Sequence, residues 1–125
     1  MRESEIQKLL PLLPAVFHIM LALADGERHG YGIKREVELR SGGTVNLGPG
    51  TLYGTLRRML ADHLIVECGE RADPANEDVR RRYYRLTDFG RRLAAAEAER
   101  LENLVRVARS KDLLIKPRLV NPGKA

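Results

Sequence analysis

The stretch of sequence that decides the fold runs from residue 47 to residue 65 and reads LGPGTLYGTLRRMLADHLI. Gly48 can serve as the N-cap of a helix and Pro49 as its first residue, because the missing N–H of proline has no helical partner to lose there. The helix is predicted to continue to about His63, and a strand that begins with Leu64 is predicted to follow it. This stretch therefore predicts a helix that leads directly into a β-strand.

At about 100° per residue, this helix has one apolar side and one side that is free to approach another molecule. Four apolar residues share a stripe and are predicted to face a core: Leu52, Leu56, Met59 and Leu60. The opposite side, its boundary and the first turn carry small, polar or basic residues: Thr51, Tyr53, Gly54, Arg57, Arg58 and Ala61. The major groove of DNA admits one helix, and arginine can donate two hydrogen bonds to a guanine. We therefore predict that this side binds duplex DNA; the alternative is an ordinary solvated face.

Outside this stretch, helix caps and strand-forming residues predict the other elements. They are a helix from Pro14 to Ala24, a helix between His29-Gly30 and Ser41, strands over residues 64–70 and 81–86, and a helix from Asp88 to about Asp112. Residues 71–80 are predicted to be a polar loop, because the segment is too long for a tight hairpin and has nothing to bury. This order predicts a winged helix-turn-helix, which is a mainly α fold with a small β-hairpin wing (α+β), plus a long C-terminal helix.

Arginines cluster where the second predicted strand begins, at Arg80, Arg81 and Arg82. Side chains alternate along a strand, so Arg81 is predicted on one face and Arg82 on the other. A wing with these charges can contact phosphates or a minor groove, and phosphate contact is the prediction. The alternative is that the arginines neutralise acids of the same segment, namely Asp73, Glu77 and Asp78.

The last helix carries an apolar stripe at helical spacing, formed by Leu93, Leu101, Leu104, Val105 and Ala108. A helix of about 25 residues is longer than a small winged domain can cover with its own core. The stripe is therefore predicted to form a homodimer interface; the alternative is a clamp across the same domain. The expected organisation is a DNA-binding domain over residues 9–87, a dimerisation helix over residues 88–115 and a disordered tail over residues 116–125.

The composition limits the classes of function. The chain has 22 Lys and Arg against 17 Asp and Glu, a net charge of +5 and a pI of about 9.7, which favours an anionic partner. A single cysteine, Cys68, excludes an internal disulfide, and the histidines lack metal-ligand spacing, so no metal and no cofactor are expected. The longest apolar stretch, Leu9 to Ala24, contains prolines and is shorter than the ~20 residues that span a bilayer. We expect a cytoplasmic protein that is not an enzyme, because no catalytic motif is present.

Three motifs, in the same order, resemble those of one family, the PadR-like transcriptional regulators. They are Leu13-Pro14 through His29-Gly30-Tyr31-Gly32-Ile33, the stretch from Leu47 to Ile65, and Arg82-Tyr83-Tyr84-Arg85-Leu86-Thr87 with Gly90. The resemblance covers about residues 9–115 of the chain. Two positions depart from the family's pattern: Gly54 stands where the family commonly has proline, and His63 where it commonly has glycine.

The resemblance implies a sequence-specific DNA-binding regulator, namely a homodimeric repressor that binds a palindromic operator in double-stranded DNA. It also implies that a small-molecule effector can control some members, from a pocket between the first and last helices. In this chain the pocket would use Phe17, Met20 and Phe89, and core packing is the alternative role for these side chains. A rival hypothesis is a winged-helix protein-interaction module without sequence-specific DNA binding, whose basic face binds acidic partners.

Overall fold

The structure is a computed structural model that describes residues 3–114. Its elements follow one another in this order: α1 Glu3–Lys8, α2 Pro14–Leu23, β1 Arg28–His29, α3 Gly30–Arg40, α4 Pro49–Ala61, β2 Ile65–Asp73, β3 Asn76–Leu86 and α5 Asp88–Ser110. The predicted mainly α architecture, with a β-hairpin wing and a long C-terminal helix, is confirmed. The predicted tail over residues 116–125 lies outside the described residues.

One hydrophobic core joins the helices to the base of the sheet. Its largest fully buried side chains are Ile6, Ile19, Met20, Leu23, Ile33, Val37, Leu52, Leu56, Met59, Ile65 and Leu93. The predicted stripe of α4 contributes Leu52, Leu56 and Met59 to this core, and Leu60 packs against it partly buried. Because the stripe faces inward, the opposite side of α4 faces solvent.

The sheet has three antiparallel strands in the order β1-β3-β2. The two-residue strand β1 pairs with β3, with Arg28 opposite Tyr84 and His29 opposite Tyr83. This strand was not predicted, because two residues are too few to show any alternation of apolar and polar side chains. Its pairing joins the start of α3 to the base of the wing.

The prediction of a loop over residues 71–80 is wrong, because β2 and β3 extend through it to a hairpin turn at Pro74 and Ala75. Proline fixes φ in such a turn, and the Asp73 carboxylate accepts a hydrogen bond from the backbone N–H of Ala75 at 2.9 Å. The outer wing needs no buried apolar residues, since ion pairs link its strands, among them Arg80 with Glu70. A shift of register lies between Glu67 and Glu70 and includes Gly69, whose φ is +120°.

The end of α4 explains how histidine is accommodated at position 63. The N–H of His63 donates to the Leu60 carbonyl at 3.1 Å, and the N–H of Leu64 donates to the Met59 carbonyl at 2.9 Å. This is the Schellman pattern, in which the residue after the C-cap adopts positive φ. His63 has φ +60°, so it adopts the helix-ending conformation that the position requires.

Helix α5 begins directly against this turn. The Thr87 hydroxyl caps α5 by accepting from the Gly90 N–H at 2.9 Å, and it donates to the His63 carbonyl at 2.7 Å. A Cβ atom at Gly90 would lie 2.0 Å from the Leu64 carbonyl oxygen. The close approach of two backbones therefore requires glycine here and excludes the glutamate of a full capping box.

The folded domain begins earlier than the predicted residue 9. Helix α1 packs on α5, and its only apolar side chain, Ile6, is buried in the core. The segment that follows α1 is attached to α5 by Glu97, a buried carboxylate that accepts from the N–H of Leu12 at 2.9 Å. The sequence did not indicate this contact, since Glu97 lies among other charged residues of α5.

Glu97 makes the stability of the domain depend on pH. Hydrogen bonds from the Arg100 guanidinium, at 2.5 and 3.2 Å, and from the Leu12 N–H hold the pKa of Glu97 below its usual value despite burial. The stabilisation is therefore present above the unfolded pKa of about 4.3 and is lost as the pH falls through the lower folded pKa.

We expect Glu97→Gln to lower the free energy of unfolding by about 1.5–3 kcal/mol near pH 7, the worth of hydrogen bonds to a charged group. Urea denaturation near pH 7 and again near pH 3 should show that the difference between wild type and variant shrinks in acid. A difference that stays constant over this range would mean that the Glu97 charge contributes nothing to folding.

Candidate DNA-binding surface

The outward side of α4 presents two arginines that have no partner among the residues that the structure describes. Arg57 and Arg58 are exposed, and within residues 3–114 no hydrogen bond, ion pair or ring contact reaches either guanidinium. Between them and the N-terminus of α4 lies Gly54, where an added Cβ would meet nothing within 4 Å. Packing among the described residues therefore does not require glycine at this position. The backbone of α4 is bare at Gly54, meaning that no side chain covers it there.

The two edges of this side of α4 face different neighbours. Thr51 and Arg58 line a shallow pocket of about 320 Å³ that α4 forms with the start of α2. Tyr53 lines a cleft of about 270 Å³ on the other edge, together with α3 and the wing. The residues predicted on this helix are thus all at its surface, arranged around the bare backbone at Gly54.

The three wing arginines, which were all predicted to contact DNA, differ in their ion pairs and in their exposure. Arg80 pairs with Glu70 at 3.5 Å and Arg82 pairs with Glu67 at 3.6 Å, yet their side chains remain 59% and 60% exposed. Arg81 is only 30% exposed, because it pairs with Asp73 at 3.0 Å and its guanidinium lies 5.3 Å from the centre of the Tyr31 ring.

Charge neutralisation, the alternative reading of these arginines, is therefore observed, although Glu67 and Glu70 take part rather than Glu77 and Asp78. Exposed pairs of this kind contribute only about 0–1 kcal/mol, so Arg80 and Arg82 can exchange their partners for phosphates. Arg81 differs from the prediction, since it holds the wing against α3 and is not freely presented to DNA.

An aromatic cluster that the sequence did not indicate joins the wing to α3. His29 caps α3, with its Nδ1 accepting from the Gly32 N–H at 2.9 Å, and its ring meets Tyr83 edge-on at 5.3 Å and Tyr31 face-on at 6.4 Å. Burial, and then the charge of Arg81, lower the pKa of His29, which keeps Nδ1 available as the acceptor. The cluster depends on the pairing of β1 with β3, which no local pattern predicts.

The residues predicted for an effector pocket are not brought together. Met20 is fully buried in the core and Phe17 is half-buried, so their observed positions fit core packing. Phe89 lines an apolar groove of about 370 Å³, whose walls include Leu9, Leu13 and Leu93 and whose rim carries Arg58 and Asp62. A groove exists at this place, but it lies under the segment between α1 and α2.

The apolar stripe of α5 changes its surroundings along the helix. Leu93 is buried in the protomer's own core, so its prediction as an interface residue is wrong. From residue 101 onward the stripe is uncovered: Leu101, Leu104 and Val105 are exposed and Ala108 is half-buried. Residues 101–107 of α5 are all exposed, so the other described residues leave this part of the helix largely uncovered.

Residues 3–114 contain neither a helix suited to crossing a membrane nor a side-chain cluster suited to a metal ion. None of their helices combines the length and the apolar character needed to cross a membrane. Their histidine, cysteine, aspartate and glutamate side chains form no group of three or more that could hold a metal ion.

Comparisons of the sequence place the chain among known regulators. Residues 19–96 match the model of the "Transcriptional regulator PadR-like family". The chain is 39% identical over 89 residues to the transcriptional regulator Rv3488 of Mycobacterium tuberculosis, which covers 71% of this chain and 77% of that protein. It is 41% identical over 86 residues to an uncharacterized 37.1 kDa protein in transposon TN4556 of Streptomyces fradiae, covering 69% of this chain but only 22% of that protein's length.

Comparison with solved structures confirms the winged-helix fold. A PadR-like transcriptional regulator from Bacillus cereus superposes with a TM-score of 0.65 at 18% identity, covering 90% of this chain and 100% of that one. PadR of Bacillus subtilis, solved in complex with operator DNA, superposes with a TM-score of 0.57 at 17% identity, covering 89% of this chain and 53% of that one. The family model covers more than half of the sequence and agrees with the motifs at positions 29–33, 47–65 and 82–90. The chain therefore belongs to the PadR-like family of transcriptional regulators.

Proposed function

We propose that this protein is a homodimeric transcriptional repressor that reads a palindromic operator in duplex DNA with helix α4. The observation that carries the proposal is the pair of unpartnered arginines, Arg57 and Arg58, beside the bare backbone at Gly54. An arginine that is paired with a carboxylate must break that ion pair to bind DNA, whereas Arg57 and Arg58 have no ion pair with a described residue to break. Their side of α4 matches the requirements of a helix that enters a major groove.

The wing supports this reading in a secondary role. Arg80 and Arg82 are exposed but paired, so they suit phosphate contacts that fix the position of the protein on the duplex. Thr51 lies in the first turn of α4, where a hydroxyl and backbone N–H groups favour a phosphate. Base readout is thus assigned to α4 and backbone contact to the wing and to the start of α4.

The uncovered stripe of α5 supports the dimer. Leu101, Leu104 and Val105 continue the side of α5 that is buried up to residue 97, so the same apolar surface leaves the domain without a partner. Packing against a second α5 buries it with two-fold symmetry, which is the commonest symmetry of oligomers. Two copies of α4 can then meet half-sites about 34–36 Å apart on one side of the DNA.

The family relationship favours a regulator that acts in the cytoplasm, in the same compartment as the DNA that it binds.

For a small-molecule effector, we propose the apolar groove beside Phe89, because its lining includes Arg58 and thus connects an occupant to the DNA-reading helix. PadR of Bacillus subtilis, which was solved in complex with operator DNA, shares the fold of this chain.

The test uses duplexes selected by the protein from a random-sequence pool. We expect Arg57→Ala and Arg58→Ala each to weaken binding of the selected duplex by about 1–3 kcal/mol, because each removes a base contact. Arg109→Ala is the matched control, since Arg109 is also exposed and without a partner among the described residues but lies at the end of α5.

Equal affinities for all three variants would contradict the assignment of α4. If wild type bound selected and unselected duplexes equally, the rival function would stand instead, namely a winged-helix module whose basic face binds acidic partners.

A further inference from the structure

The cleft between α4 and the wing has an unusual lining. It lies where the start of α3, the first turns of α4 and strand β3 meet, and it has a volume of about 270 Å³. Its walls are tyrosine, arginine, histidine and glycine, including Tyr31, Tyr53, Tyr84, Arg80 and Arg82. None of the described residues that line it is a carboxylate, so their side chains bring hydrogen-bond donors and positive charge to the cleft and no negative charge.

Two tyrosines are held at this cleft and remain partly exposed. Tyr53 lies against Gly30, where an added Cβ would come within 3.0 Å of its hydroxyl oxygen, so glycine at position 30 makes room for the ring. Tyr31 is flanked by the His29 ring at 6.4 Å and by the Arg81 guanidinium at 5.3 Å. Both tyrosine residues are 44% exposed although neighbouring groups fix their rings.

Their hydroxyl protons are available to a ligand. The Tyr31 oxygen accepts a hydrogen bond of 3.5 Å from Arg35, which leaves its own proton to donate. No hydrogen bond from residues 3–114 is made by the Tyr53 hydroxyl. Both tyrosines line the cleft, and the arginines that line it as well make an anionic acceptor favourable there.

The positive charges around the cleft are of unequal availability. Arg81 is fixed by Asp73, whereas Arg82 is exposed and, among the described residues, pairs with Glu67 at 3.6 Å, beyond good hydrogen-bond distance. Arg82 can turn from Glu67 to an anion at little cost. The cleft thus combines neutral tyrosine hydroxyls with two exposed guanidiniums, those of Arg80 and Arg82, that can exchange a carboxylate for a phosphate.

We propose, on the basis of the DNA-binding function proposed above, that this cleft binds one backbone phosphate of the DNA strand on the wing side of α4. The hydroxyls of Tyr31 and Tyr53 donate to the phosphate oxygens, and Arg82 leaves Glu67 to balance the charge. Tyr31 is then a DNA contact on α3, outside both the reading helix and the wing. The contact fixes the angle at which α4 enters the groove, because it joins α3, α4 and β3 to one point of the backbone.

The test compares variants that remove a single hydroxyl. We expect Tyr31→Phe and Tyr53→Phe each to weaken binding about tenfold, on selected and on random-sequence duplexes alike, since a phosphate contact carries no base information. The slope of log affinity against log salt should stay unchanged in both, while Arg82→Ala should reduce the magnitude of this slope by about 0.9.

Tyr83→Phe is the control, because Tyr83 packs on His29 outside the cleft. Glu67→Gln should strengthen binding, because it frees Arg82.

Single methylphosphonate substitutions in the selected duplex locate the phosphate. With the methylphosphonate at one position in each half-site, Tyr31→Phe should bind less than about twofold more weakly than wild type. The substitution has already removed the charged phosphate oxygen that accepts the hydrogen bond. Inorganic phosphate alone, compared with chloride at equal ionic strength, should not raise the melting temperature. A rise that Tyr31→Phe abolishes would assign the cleft to free phosphate and overturn the DNA contact.

The outcomes separate the two proposals. If Arg57→Ala weakens binding but Tyr31→Phe and Tyr53→Phe bind as tightly as Tyr83→Phe, the phosphate site is wrong and the reading helix stands. If wild type binds no duplex at all, both proposals are wrong.

Discussion

Gly90→Ala is expected to destabilise the domain more than the addition of a single methyl group at any other position. The new Cβ would lie 2.0 Å from the Leu64 carbonyl oxygen and 2.9 Å from the Leu64 carbonyl carbon. Both atoms belong to the backbone, which is itself fixed by the hydrogen bond from the Thr87 N–H to the Leu64 carbonyl at 3.1 Å. No side-chain rotation can relieve this contact, so α5 must move away from the turn that ends α4.

Overpacking of this kind costs about 1–3 kcal/mol where neighbours can adjust, and we expect about 3 kcal/mol or more here. The melting temperature should then fall by more than about 12 °C. Gly54→Ala is the matched control: it adds the same methyl group to helical backbone with open space around it, and should stabilise the protein by about 0.5–1 kcal/mol.

Thermal and urea unfolding of the two variants would measure this contrast directly. If Gly90→Ala unfolded within about 0.5 kcal/mol of wild type, the close approach of α5 to Leu64 would be wrong.

Leu101→Asp combined with Leu104→Asp is expected to convert the protein into a folded monomer. Both side chains are exposed on the part of α5 that leaves the domain, so charges there leave the core unchanged. In a dimer the same two positions would become buried carboxylates without partners, at a cost of several kcal/mol for each. Sedimentation at micromolar concentration should therefore show monomers, with a circular-dichroism spectrum close to that of wild type.

The loss of the dimer should also weaken operator binding, because a monomer holds one half-site only. A control with the same added charge is Ala95→Asp combined with Ser110→Asp, since both positions are exposed on the other side of α5. That control should remain dimeric and bind normally. Dimers that survive Leu101→Asp/Leu104→Asp at micromolar concentration would place the interface elsewhere.

Much of this fold follows from local signals in the sequence. Proline at position 49 and threonine at position 87 mark the starts of α4 and α5, and helical periodicity identifies the buried side of α4. The elements that were missed lack such signals. Helix α1 has one buried apolar residue, Ile6, and the outer wing is joined by charges that resemble a solvated loop in the sequence.

The candidate site divides in the same way. The exposed side of α4 depends on one helix alone, so helical geometry was sufficient to predict it. The separation of Arg81 from Arg80 and Arg82 depends on the register of β2 against β3, which includes two irregularities. Tyr31 joins the site only because β1 pairs with β3 and brings the start of α3 to the wing. Long-range pairings of this kind leave no mark on the local pattern.

The central claim is that α4 reads the base sequence of duplex DNA through Arg57 and Arg58. The most direct measurement is selection from a random-sequence duplex pool, carried out in parallel with wild type, Arg57→Ala and Arg58→Ala, followed by sequencing of the bound DNA. Wild type should enrich an inverted repeat with half-site centres about 10 base pairs apart, and each variant should lose a preference for guanine at one position in each half-site. Enrichment of the same sequences by all three proteins, or of none by wild type, would contradict the claim.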